Sequence, residues 1–187
     1  MKKKLLFVIN TLGYGGAERA MIDLFEALGP EKYEISLFVL TGQGELSHAL
    51  PKYVHLLNPD YQDVSVLTDE GRKLLAKSVL RAGVGKGLFL RRAPYLLKNL
   101  WNMGKSGRIF PDKLCWRLLA DGAPLSRKEY DLAVAYLEGG ATYYVAEHVK
   151  AKKKIGREAQ DEDDIICHKY IGIWRCRTGH AGFVRCH

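Results

Sequence analysis

Long apolar runs are missing from this sequence. Stretches such as Leu5–Ile9 stop far short of the ~18 residues a membrane-spanning helix requires, which excludes a helical bilayer crossing. An export signal is also not expected, although Met1-Lys-Lys-Lys imitates the start of one. Only five apolar residues separate Lys4 from Asn10, whereas a signal needs about 7–15 and then a small-residue cleavage site. Residues 3–9 therefore read as a buried strand, and the chain is expected to be cytoplasmic with its cysteines reduced. Cysteine is scarce and unevenly placed: Cys115 stands alone, while Cys167, Cys176 and Cys186 crowd the last 21 residues. Acidic residues are absent from 71–108, and no internal repeat is found. Disorder is excluded by composition, because 47% apolar and 27% charged residues suffice for a real core.

What is present is a strand–helix–strand pattern. After the apolar run of 3–9 comes a glycine-rich turn, Gly13-Tyr14-Gly15-Gly16. Apolar residues then recur at Ala20, Met21, Leu24, Phe25 and Leu28, the helical period, until Gly29-Pro30 closes the helix. Ile35–Leu40 predicts a second strand and Val54–Leu57 a short third. Such short links form a βαβ unit, so the fold class is α/β with a parallel sheet. Residues 64–120 read as a basic, mostly helical insert that Gly83, Gly85, Gly87 and Pro94 break into pieces. A buried strand returns at Tyr130–Leu137. It is followed by the turn Glu138-Gly139-Gly140-Ala141 and a helix over about 142–149, with Lys154-Ile155 expected to begin the next strand.

Glycine turns between a parallel strand and a helix let backbone N–H groups approach an anionic or sugar ligand, aided by the positive helix end. Open α/β sheets bind at the carboxyl ends of their strands, where both Gly13–Gly16 and Glu138–Gly140 are expected. The bland alternative is that these glycines only make tight turns.

Val8-Ile9-Asn10, Gly15-Gly16-Ala17-Glu18-Arg19 and the amphipathic helix beyond them resemble the opening of glycosyltransferase family 4 proteins. Tyr130–Gly139, Thr142–Ala146 and Lys152–Ile155 are similar to a later stretch of the same N-terminal domain. The resemblance covers about residues 3–155 and implies a Rossmann-like open parallel sheet with helices on both faces, half of a GT-B architecture. It implies a domain over 1–156, with the insert at about 64–120, that faces the acceptor across a cleft. Most of the nucleotide-sugar donor would be held by a second domain bearing paired glutamates spaced E-x7-E. Carried over, Gly15 and Gly16 line the cleft near the donor phosphates or the acceptor, and Glu138 and Gly139 stand at its edge. Arg19 shapes the helix start or is a solvated helix residue. The implied activity is transfer of a sugar, with retention, to a glycan or lipid-linked acceptor. Glu18 and Glu26 share the E-x7-E spacing by coincidence. Ile155-Gly156 departs from the family, which continues with a strand bearing an acceptor-facing His.

Residues 157–187 are expected to be an atypical, disordered tail on a chain cut near the domain midpoint, inactive alone. No catalytic residue or cofactor is assigned. A zinc site from Cys167, Cys176, His180 and Cys186 fits poorly, since gaps of eight and nine residues separate the cysteines where close pairs are usual, so no metal is assigned. The net charge is +8, and 71–108 holds ten basic residues. Interleaved with Leu88, Phe89, Leu96, Leu97, Leu100 and Trp101, they form either an anionic-membrane contact at the inner face of the membrane or a solvated helix face packed on the sheet. No nucleic-acid motif accompanies the charge. A dinucleotide enzyme is disfavoured: no third small residue completes G-x-G-x-x-G, and the first carboxylate after the second strand is Glu45. The remaining alternative is a non-catalytic binding module.

Overall fold

Five parallel strands form one sheet, and both its faces are covered. The computed structural model describes residues 2–85, 111–126 and 128–156. Strand β1 is Lys3–Ile9, and its last five residues are all buried, as expected of a strand packed on both sides. Helix α1 (Gly16–Leu28) leads to β2 (Tyr33–Val39), a short 3-10 helix (Glu45–Ala49) and the two-residue β3 (His55–Leu56). Helices α2 (Asp69–Gly85) and α3 (Pro111–Gly122) precede β4 (Glu129–Ala135), α4 (Gly140–His148) and β5 (Lys150–Ile155).

The strand order is β3-β2-β1-β4-β5. Ile9 pairs with Val39 on one side of β1, and Val8 pairs with Ala135 on the other. Because successive strand residues point to opposite faces, β1 feeds two cores. Leu5, Phe7 and Ile9 meet Met21, Ile22 and Phe25 of α1, with the Phe7 and Phe25 rings edge-on at 4.9 Å. Leu6 and Val8 lie in the other core with Leu119 and Ala120 of α3 and Tyr144 and Val145 of α4, against which Leu75 and Val79 of α2 pack. This is a Rossmann-like open sheet with helices on both faces.

The structure alters two sequence expectations. Helix α2 runs through Gly83 to Gly85; a glycine near a helix end costs only about 1 kcal/mol. The last strand starts at Lys150, four residues before Lys154. Four of its six residues are lysines, and among the described residues it is an edge strand, where exposed charge discourages pairing with other chains. Among the described residues no helix is long and apolar enough to cross a membrane. The expectations for residues 86–110 and for the tail over 157–187, with its cysteines and histidines, lie outside the described residues.

Candidate functional site

Chain connections leave β1 in opposite directions. Through α1 the chain moves to β2 and β3, then it returns through α2 and α3 to place β4 on the far side of β1. Where connections diverge in this way, the loops part and leave a crevice at the carboxyl ends of the strands. Residues 10–16 follow β1 and residues 136–140 follow β4, so both glycine corners stand at this one rim. The Tyr136 N–H donates to Val8 O at 2.9 Å, continuing the ladder up to the corners.

Asn10 fastens the corners together. Its Nδ2 donates to Glu138 O at 2.7 Å, and its Oδ1 accepts from the Ala141 N–H at 2.9 Å. The second bond satisfies one of the orphan donors in the first turn of α4, which has no cap of its own. Asn10 also offers its carbonyl to the Thr41 N–H at 3.0 Å and to the Thr41 hydroxyl at 2.8 Å. One residue thereby links the ends of β1, β2 and β4.

The first corner is tight. The Gly15 N–H donates to Gly13 O at 2.9 Å, and Gly15 caps α1 without a side chain. Glu18, in the first turn of α1, is only 9% exposed, and its carboxylate lies where a Cβ at Gly15 would be. Tyr14 stands 73% exposed at the tip. Beneath the turn, the Leu12 N–H donates to Gln43 O and the Leu46 N–H to Leu12 O, binding the loop after β2 to the base of the corner. That loop brings in Glu45, whose Oε2 is buried with no hydrogen-bond donor. The oxygen lies 3.5 Å from the position of a Cβ on Gly13. Tyr61 donates to Gly44 O at 2.8 Å; burial, then the charges of Asp63 and Glu45, push its phenol well above the ordinary range.

The second corner needs glycine for two different reasons. Gly139 has φ 97°, a conformation L side chains avoid. At Gly140 the limit is space: a Cβ would overlap Leu40 and crowd Trp116 of α3 at 3.1 Å.

Of the residues expected from sequence, Gly15, Gly16, Glu138 and Gly139 all stand on this rim. Gly16, Arg19 and Glu138 are exposed and Gly15 and Gly139 half-buried. Asn10 joins the two corners, while Arg19 lies on the outer surface of α1. Sequence reading passed over Asn10, Trp116 and the placement of Glu18 and Glu45. The available signal was an amide side chain at the end of a buried strand, just before a glycine turn.

A separate polar group lies between α3 and α4, near the amino ends of the strands. His148 Nε2 is 3.1 Å from Asp121 Oδ1, and Arg117 reaches Glu147 at 3.3 Å while stacking over the Tyr143 ring at 4.8 Å. Ligand atoms of Asp121, Glu147 and His148 lie within 4.8 Å of one another. The guanidinium already supplies the positive charge there, so the group is a helix–helix ionic tie.

No family model matches this chain, and neither a curated protein nor a solved structure does.

Proposed function

We propose that this chain is the acceptor-side wall of a glycosyltransferase resembling family 4. The full enzyme moves a sugar from a nucleotide-sugar donor to a glycan or lipid-linked acceptor, with retention. The observation that supports this most is the joining of two glycine corners by Asn10 at the switch point of the sheet. Backbone corners of this kind position hydroxyl-rich ligands through N–H and C=O groups, and Gly15, Gly16, Glu138 and Gly139 are the contacts assigned to them. In this reading a second domain holds most of the donor. Calorimetric titration tests it. Nucleotide sugars are expected to show negligible affinity and glycan acceptors measurable affinity. Tight binding of a nucleotide sugar overturns the division of labour, and tight binding of a nicotinamide dinucleotide points to an oxidoreductase.

A second reading, a binding module that contacts an anionic membrane face, draws support from α2. Leu75 and Val79 pack inward on the core, while Arg72, Lys73, Lys77 and Arg81 are exposed beside Leu80, itself 60% exposed. Such a surface gains about 1 kcal/mol per basic residue near anionic headgroups. Flotation with vesicles containing phosphatidylserine should recover the chain at low salt and release it at high salt. Failure to float at low salt removes this reading.

A further inference from the structure

The amino ends of the strands, opposite the glycine corners, carry a hollow of their own. Lys3 opens β1 and pairs with Tyr33, which opens β2, and the Lys3 N–H donates to Lys32 O at 3.0 Å. That bond holds Lys2, Lys3 and Lys32 beside one another where the two strands begin. An open hollow of about 530 Å³ lies there, lined by Lys2, Lys3, Glu31, Lys32 and Tyr33. Its volume is within the ~300–1,000 Å³ range of small-ligand clefts. Strand β1 is seven residues long and rises about 3.3 Å per residue, so the hollow stands about 20 Å from the glycine corners.

The charge of this hollow decides what fits it. Its three lysines are exposed, and one carboxylate, Glu31, lines it with them. Among the described residues none of these four groups is in an ion pair, and the nearby Asp131 is already engaged by Lys152 and the Lys4 N–H. Like charges gathered around one concavity repel, and an anion seated among them relieves that repulsion. Lysine ammoniums meet an anion as point charges with rotatable donors. Three of them suit a phosphate group, of charge about −1.5 to −2, better than a single carboxylate. Tyr33, half-buried against the core that α1 covers, gives the hollow a firm wall.

We propose that this hollow binds a phosphate-bearing anion through Lys2, Lys3 and Lys32, at a site separate from the crevice at the carboxyl ends of the strands. A free oligophosphate and the headgroup of an anionic lipid share the chemistry these lysines recognise. The inference goes beyond the glycosyltransferase reading and does not depend on it.

The test is an NMR titration of the full 187-residue chain with inorganic pyrophosphate at constant ionic strength, with acetate as the singly charged comparison. Pyrophosphate should shift the amides of residues 2–4 and 31–34 and leave those of 13–16 and 138–140 in place, and acetate should shift neither set. Lys2→Gln, Lys3→Gln and Lys32→Gln should each weaken binding about two- to fivefold, the usual worth of one exposed ion pair. The triple variant should abolish it, and Glu31→Gln should strengthen it. Removing two exposed charges elsewhere, by Lys73→Gln with Lys77→Gln on α2, should change nothing. A second arm floats the chain on vesicles containing phosphatidic acid. Flotation lost in the triple variant, with amides that pyrophosphate leaves unmoved, identifies a lipid headgroup as the source; pyrophosphate binding without flotation identifies a free phosphate. Three results overturn the inference: neither probe acts through residues 2–4 and 31–34, pyrophosphate shifts the glycine corners instead, or the α2 variant weakens binding as much as the triple variant does.

Discussion

Asn10 concentrates more of the rim's architecture than any glycine does. Replacing it by alanine strips partners from the Ala141 N–H and the Glu138 carbonyl. Each lost partner costs about 1–3 kcal/mol where water cannot substitute. Because the bond to Glu138 O is exposed and that from the Ala141 N–H only part-buried, Asn10→Ala should lower unfolding free energy by about 1–2 kcal/mol in urea titrations. Asn10→Asp, which retains the acceptor and loses the donor, should fall between the two. Gly140→Ala should cost about 1–3 kcal/mol, the usual range for overpacking, because its methyl overlaps Leu40; a repacking Leu40→Ala partner should recover part of that. At this scale the sequence was half legible. Glycines after a buried run announce a turn wherever they occur, so Gly15, Gly16 and Gly139 could be read. Asn10 could not, because its partners lie 128 and 131 positions away, and no local pattern encodes such a contact.

Among the elements, β1, α1, β2 and β4 were legible because each carries a clean period: continuous apolar residues for doubly covered strands, every third or fourth for α1. The start of β5 was hidden, since lysine at Lys150, Lys152, Lys153 and Lys154 resembles a solvated loop until the strand is seen at an edge. Two of those lysines also have partners, Lys154 Nζ donating to Ala146 O at 2.8 Å. Lys152 Nζ lies 2.6 Å from Asp131 Oδ1 on the neighbouring strand, and the Lys4 N–H donates to Asp131 Oδ2 at 2.9 Å. The Lys152 hydrogen bond first, and the Lys4 N–H second, hold the Asp131 carboxyl below the usual carboxylate range. A depressed folded value means the stabilisation is present above the unfolded pKa and disappears as pH falls through the folded one. Asp131→Asn should thus lower the melting temperature slightly at pH 7, and the gap to wild type should close as the buffer is taken well below about pH 4. A gap that persists unchanged in acid would assign the effect to packing.

For the whole molecule, parallel pairing could be read from the short βαβ links, but the strand order could not. Placing β4 beside β1 depends on a return across the sheet through α2 and α3, and nothing in the period of either helix says which side of β1 it will reach. The resulting core holds phenols that resist ionisation. Tyr144 donates to Pro124 O at 2.6 Å, and burial, then Tyr130, push its pKa up to about 12. Tyr61 and Tyr136 are raised as well, mainly by burial. Between the unfolded value near 10 and these higher folded values, the unfolded chain releases protons that the native one keeps. Stability must then fall as pH rises through that window. Urea midpoints should drop steadily from about pH 10 to pH 12, and Tyr144→Phe should flatten the drop while costing about 1 kcal/mol at neutral pH. The clamp at Asn10 has a consequence on the same scale. With one amide gripping both loops, the jaw they form has a fixed span, and sliding either loop alone would break the grip. On the proposed reading, new ligand preferences would therefore be reached most readily by exchanging the outward-facing tips, Tyr14 and Glu138, while the frame behind them stays as it is.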